Sequence, residues 1–377
     1  MEGLDPADRI EKIEWAPLPG RRPRAPKCNA RVEGQGRDVL QPIIRVTIGG
    51  STGFGWSNIS RTEAQALVGA SARDCFTKGG WVCRPYLPIE FPLLDWLGHR
   101  LGLPLYALGE GQRTELLHVP CYDTSLYIDD LHITDDRQAA TFMGEEARQG
   151  FANGHRNFKL KIGRGARYMS LEKGTARDIA VIHGVREAVG ADAQMMVDAN
   201  NGYNLNLTKT VLEATRADRI LWMEEPFHED AVLYRDLKAW IQDHQMSTFI
   251  ADGEGVSDPR LVQWAMEGWV DVVQYDLLDY GFGAWVSLGA KLDGAGRLSA
   301  PHNYGGSYGN YATAHLAPRI RGLLFIEWDT MAVSGLDDSQ YRIEEGVVTV
   351  PSTPGLGVFL DDSYFSRCSR QDGWSVF

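Results

Sequence analysis

The chain has 377 residues, 38 Lys+Arg against 50 Asp+Glu, and a net charge of −12. That acidity argues against phosphate-backbone binders and polybasic membrane-surface proteins, so neither a nucleic-acid nor a membrane partner is expected. Hydrophobic residues make up 44%, the value of a globular chain. The five cysteines, Cys28, Cys75, Cys83, Cys121 and Cys368, contain no C-x-x-C pair, which argues against a disulfide framework or a zinc ribbon. The opening MEGLDPADRI is unlike a signal peptide, and no apolar run is long enough to span a bilayer. A reducing, cytoplasmic setting is expected.

The first region, residues 1–118, opens with the basic, Pro-rich stretch Gly20–Pro26. A strand is expected at Ile43–Ile48, a Gly-rich turn at Gly49–Gly55, and helices at Arg61–Ala70 and Pro88–Leu101. Strands followed by helices without regular alternation read as a compact α+β unit. Arg21, Arg22, Arg24 and Lys27 read as a solvated charge run; the alternative is a contact for a distal carboxylate of the substrate.

The second region, residues 119–340, has a cadence. The runs FKLKIG, QMMVDAN, LWMEEP, TFIADGE, VVQYD, LSAPHN and LLFIEWD each pass from apolar to polar residues. Helices are expected between them, at Glu172–Ala188, Leu207–Ala217, Ala231–Asp243, Pro259–Glu267, Ala284–Leu292 and Ala312–Arg321. From Lys161 the polar ends step to Asp198, Glu224, Glu254, Asp276, His302 and Glu327, at intervals of 37, 26, 30, 22, 26 and 25 residues. A βα unit needs about 25–35 residues. With a first strand at Val119–Tyr127 this makes eight strands and favours an α/β fold of the closed (β/α)8 TIM-barrel type. An open doubly wound sheet would carry a Gly-rich loop after its first strand, and none occurs. The third region, residues 341–377, has a strand at Val347–Val350 and a turn-rich tail expected to pack back on the first region.

In a parallel barrel, reactive groups stand at the C-terminal ends of strands. Asp198, Glu224 and Glu254 end three successive strands, and neighbouring strands lie about 5 Å apart. Three converging carboxylates would raise one another's pKa unless a cation joined them. All-oxygen ligands favour Mg²⁺ over zinc. A lone acid in such a position is more often a helix N-cap; three in succession weaken that reading.

Lys159 and Lys161 share one face of a strand. Mutual repulsion and burial are expected to bring a lysine there toward neutrality, as a general base requires. His302 follows Asp276 by one unit, and an Asp on one imidazole nitrogen raises basicity at the other. Glu327 ends the last strand; if protonated, it can donate to a substrate carboxylate.

These motifs in combination resemble the enolase superfamily, and within it the mandelate racemase subgroup, over nearly the whole chain. The resemblance implies an α+β capping domain formed by the N-terminal region and the C-terminal tail, the latter through PGLGV at Pro354–Val358. It implies Lys161 of K-x-K as the base beside Lys159, with Asp198, Glu224 and Glu254 as ligands of Mg²⁺. It also implies Asp276 and His302 as a dyad, and Glu327 as the group bonded to the substrate carboxylate. Asn200, Glu225, Asp252 and Trp56 are candidates for the shell around substrate or metal. The segment DLLDYG around Asp276 departs from many relatives, which carry a lysine and paired glycines there.

The activity implied is Mg²⁺-dependent removal of the proton α to a carboxylate, followed by β-elimination of water from an aldonate or aldarate to give a 2-keto-3-deoxy acid. A racemase or epimerase by 1,1-proton transfer is the alternative. A non-catalytic binding member would have lost a base or ligand, and none is missing. The partner is a small-molecule carboxylate, and a homo-oligomer is expected.

Overall fold

The computed structural model describes residues 4–34, 36–109 and 116–377. Three antiparallel strands open the chain: β1 (Ile10–Arg21), β2 (Asp38–Ile48) and β3 (Ser51–Trp56). The sequence reading places no strand at β1, which contains Pro17 and Pro19, residues disfavoured within a sheet. The structure tolerates them in a specific gap. On the side of β1 away from β2, Trp374–Val376 pairs only with Ile13–Trp15, and Ala332–Val333 only with Gly20–Arg21. The prolines fall between these partners, where their missing N–H groups interrupt no ladder.

The Gly-rich turn expected at Gly49–Gly55 is shorter than that: only Gly49 and Gly50 turn, and residues 51–56 are strand. Gly53 and Gly55 serve packing instead. A Cβ on Gly53 would lie 2.4 Å from the Trp96 backbone nitrogen, and one on Gly55 2.7 Å from Phe91 Cβ. The long helix Glu90–Leu101 therefore rests directly on the β3 backbone.

Eight parallel strands follow: β4 (Leu117–Leu126), β5 (Asn157–Lys161), β6 (Gln194–Asp198), β7 (Trp222–Glu224), β8 (Phe249–Asp252), β9 (Val272–Val273), β10 (Leu298–Ser299) and β11 (Ile326–Trp328). They pair in sequence order from β4 to β10. β11 pairs with β4, and an isolated parallel bridge joins Ser299 to Leu323 just before β11. Helices lie between successive strands, including Ala231–Asp243 with the expected bounds. The helix expected at Ala312–Arg321 instead runs Ser307–Leu316 and ends in a 3-10 turn at Ala317–Arg319.

Tyr122, Met196, Trp222, Ala251, Val272, Ala300 and Phe325 form a core cluster of their own, one residue from each of seven of the eight strand regions, with none from β5. These apolar residues fill the space below the polar strand ends.

The tail divides its contacts. Val347–Val350 is a strand as expected, but it pairs antiparallel with β4 and so extends the parallel sheet into a mixed one. Gly355 bonds back to the first region through Leu103 and Leu105, and Trp374–Val376 joins β1. Among the described residues no helix is long and apolar enough to cross a membrane.

Candidate active site

The strand ends converge. One carboxylate oxygen from each of Asp198, Glu224 and Glu254 lies within 4.8 Å of the others. β6 and β7 place the first two by direct pairing, Asp198 opposite Glu224; Glu254 follows β8 by two residues. All three carboxylates are largely buried.

Both lysines reach this cluster from β5. Lys161 Nζ bonds Asp198 Oδ2. Lys159 Nζ lies 2.7 Å from Glu224 Oε1, 2.9 Å from Glu327 Oε1 and 3.8 Å from Asp198 Oδ2. Their charge state corrects the expectation of neutrality. Burial pushes both pKa values down, but the carboxylates outweigh it and hold both above the ordinary lysine value. Repulsion between two ammoniums loses to several closer attractions.

His302 bridges two acids. Its Nδ1 is 2.5 Å from Asp276 Oδ1, and its Nε2 is 3.1 Å from Glu254 Oε2. Burial lowers its pKa, yet Glu254, Glu327 and Asp276 raise it to about 10, so the imidazole is charged at neutral pH. Asp276 is itself fixed by the Gly255 N–H at 2.6 Å.

Glu327 is a second correction. It is the acceptor for Thr124 Oγ1 at 2.6 Å and for the Asn303 N–H at 2.9 Å, besides Lys159. Burial raises its pKa, but Lys159 and His302 bring it down to about 2. It is an ionised acceptor here and has no proton to donate.

Of the surrounding candidates, Asn200 joins the cluster. Its N–H bonds Asp198 Oδ1 at 2.8 Å, and its Nδ2 reaches Glu225 Oε2 at 2.9 Å and Glu254 Oε1 at 3.1 Å. Glu225 also accepts from Asn201 and Arg31; burial, with Glu254 and Asp198 nearby, pushes its carboxyl up to about 10. Asp252 is not brought into the acid cluster. Its carboxylate is taken by the Tyr234 hydroxyl, 2.5 Å away on the helix Ala231–Asp243. Trp56 does not touch the acids but lines a cavity together with Asp276 and His302.

The basic run is the third correction. Arg22 is buried and makes two bonds to Asp329, at 3.0 and 2.8 Å, while its guanidinium stacks on Tyr304 at 4.6 Å. Arg24 pairs with Glu146 at 2.8 Å, and the Lys27 N–H and Nζ both bond Asp129. Arg21 and Lys27 are exposed, as a solvated run would have them. Sequence reasoning also missed the groups that steady Glu224: Trp222 Nε1 at 3.0 Å and Gln274 Nε2 at 2.8 Å. A side chain two residues earlier on the same strand is a periodicity signal that could have found Trp222.

The donor set suits a hard divalent cation. It is all oxygen, and Glu254 Oε2 and Asn200 Oδ1 are buried without an aligned hydrogen-bond donor.

The enolase C-terminal domain-like family matches residues 143–364. A solved galacturonate dehydratase of Geobacillus sp., complexed with D-galacturonate and 5-keto-4-deoxy-D-galacturonate, is similar at 46% identity and a TM-score of 0.96, over 99% of this chain and 100% of its own. A mandelate racemase/muconate lactonizing protein of Geobacillus sp., complexed with magnesium/tartrate, is also 46% identical, with a TM-score of 0.97 over 99% of this chain and 98% of its own. The curated D-gluconate/D-galactonate dehydratase of Picrophilus torridus is 24% identical over 289 residues, 74% of this chain and 69% of its own.

Proposed function

Because the chain belongs to the enolase C-terminal domain-like family, we propose that it is an Mg²⁺-dependent lyase that dehydrates an acid sugar to a keto-deoxy acid. One observation carries this reading. A lysine and a histidine both abut the acid triad, Lys161 on Asp198 and His302 on Glu254. The galacturonate dehydratase relative points to the elimination. Its 5-keto-4-deoxy ligand has lost hydrogen and hydroxyl from the α- and β-carbons counted from the carboxylate. That is the same elimination that forms a 2-keto-3-deoxy acid from an aldonate.

Asp198, Glu224 and Glu254 would hold the Mg²⁺. The ion supplies positive charge that offsets the three carboxylates and the charge developing on the substrate carboxylate. Lys161 Nζ takes the α-proton once Asp198 no longer holds it as an ammonium. His302, charged and braced by Asp276, gives its Nε2 proton to the β-hydroxyl, which leaves as water. The resulting enol is reprotonated to the keto acid. Lys159 stays charged beside Glu224 and Glu327 and contributes a fixed donor. Glu327 holds Lys159 and the Asn303 backbone in place.

The eight parallel strands are read as a closed (β/α)8 barrel, a reading supported by the β4–β11 pairing and the Ser299–Leu323 bridge. Residues 1–118 and 341–377 are read as the cap over residues 119–340, with Ala332–Val333 as the first segment to cross back. Incubation with Mg²⁺ and a panel of uronic, aldonic and aldaric acids tests the function. A keto acid that is absent in Glu224→Ala supports dehydration. Epimers without any keto acid would replace it with 1,1-proton transfer.

A further inference from the structure

Beyond His302 lies a cavity of about 120 Å³. Gln41, Pro42 and Trp56 wall it from the N-terminal sheet, and Asp279, Asn303 and Tyr304 from the parallel-strand side. A second cavity of about 370 Å³ shares Trp56, Leu278 and Asp279 with it and continues outward past Glu63 and Glu90. A sugar acid with its carboxylate at the acid triad and its β-carbon at His302 would direct the rest of its chain here.

Carboxylates outnumber cations in this space: Asp276 and Asp279 line the first cavity beside a single cation, His302. Among the described residues no Lys or Arg lines either cavity, whereas Asp279 lines both. Arg22 and Arg24 are held elsewhere, by Asp329 behind the Tyr304 ring and by Glu146. A second carboxylate at the far end of a substrate would meet Asp279, while the cation lining this space, His302, is already held between Asp276 and Glu254. A hydroxyl, aldehyde or hemiacetal would instead donate to Asp279 or bond Gln41, at little desolvation cost.

We propose that Asp279 is a specificity-determining residue that rejects diacids, so that the substrates are sugar acids with a single carboxylate, uronates and aldonates and not aldarates. The proposal rests on the dehydratase reading of the same site. Selection works by repulsion of the wrong ligand, the complement of attraction to the right one. The four-residue helix Leu277–Tyr280 fixes Asp279 three residues after Asp276, so the selecting and the catalytic acids share one rigid turn.

The test compares a hexuronate with the hexarate of the same configuration. With Mg²⁺ the protein should show kcat/KM for the uronate at least about 100-fold above that for the aldarate. Asp279→Asn should narrow the ratio about tenfold, chiefly by raising the aldarate value, and Asp279→Glu should keep the discrimination. Asp279 is exposed, so these variants should fold. An unchanged ratio in Asp279→Asn, or equal use of both acids by the unaltered protein, would overturn the assignment. Calorimetric affinities of the Mg²⁺-loaded Lys161→Ala protein for the two acids separate this from the dehydratase reading. If neither acid yields a keto acid, the dehydration fails, and the affinity ratio with and without Asp279→Asn still decides the role of Asp279.

Discussion

His302 Nε2 lies 3.1 Å from Glu254 Oε2. The residue proposed as general acid thus touches a proposed metal ligand, and the two functions share one carboxylate. A cation on Glu254 competes with the imidazolium for it, so metal binding and proton delivery are coupled through this contact.

The metal assignment predicts that Asp198→Asn, Glu224→Gln and Glu254→Gln each weaken Mg²⁺ binding by more than about 100-fold, the upper end for loss of a group that only supports a ligand. Calorimetric titration measures this, with circular dichroism confirming the fold. Affinity unchanged in Glu254→Gln would remove that residue from the set.

Separate roles for the two bases predict separate losses. Lys161→Ala and His302→Asn should each lower keto-acid formation by about 10²–10⁴. In deuterated water His302→Asn should still exchange the α-proton, because Lys161 remains, and Lys161→Ala should not. Proton NMR of recovered substrate reads this, and the reverse pattern would exchange the two roles.

Arg22 and Asp329 have side chains 5% and 4% exposed, so removing one leaves the other charged and dry. Arg22→Ala should destabilise the fold by about 3–5 kcal/mol. It should also loosen the loop after His302, since Asp329 holds the Gly305 N–H at 3.1 Å. Chemical denaturation checks the stability; a loss under about 1 kcal/mol would mean the pair is far better hydrated than its burial indicates.

His315 predicts a pH dependence. It is fully buried; its Nδ1 accepts the Tyr106 N–H at 3.1 Å, and its Nε2 lies 3.0 Å from the Tyr341 hydroxyl. Burial lowers its pKa to about 3. The unfolded chain binds a proton at about pH 6.5, so the native state's advantage is complete above that pH and is lost as pH falls toward 3. Between pH 6.5 and 5 this residue alone costs about 2 kcal/mol. Unfolding free energies of the protein and of His315→Gln across that range should converge on acidification; parallel curves would show that His315 carries its proton in the native state too.

Much of the site was legible in the chain. A βα period near 25–30 residues brings Asp198, Glu224, Glu254, Asp276, His302 and Glu327 to corresponding strand ends, and these side chains do converge. The expected strands mostly stand because each is a short apolar run ending in polar residues, a local property. β1 was not legible, because its prolines are harmless only where two distant segments leave a gap in the ladder. Asp252 carried the same strand-end signature as the triad, but its carboxylate is taken by the Tyr234 hydroxyl, on a neighbouring helix, and by the Gly253 N–H.

Alternation and spacing along the chain by themselves determined which residues could carry the chemistry, since side-chain direction within a strand depends on neighbours in sequence. The tertiary structure alone decided their charge. Two adjacent lysines read as mutually repelling, yet both are held charged by carboxylates from other strands. Glu327 reads as a donor and is an ionised acceptor, and Arg22 reads as solvated and is buried against an aspartate 307 positions away. Electrostatic interaction depends on distance through space and on burial, and folding sets both between residues that the sequence keeps far apart.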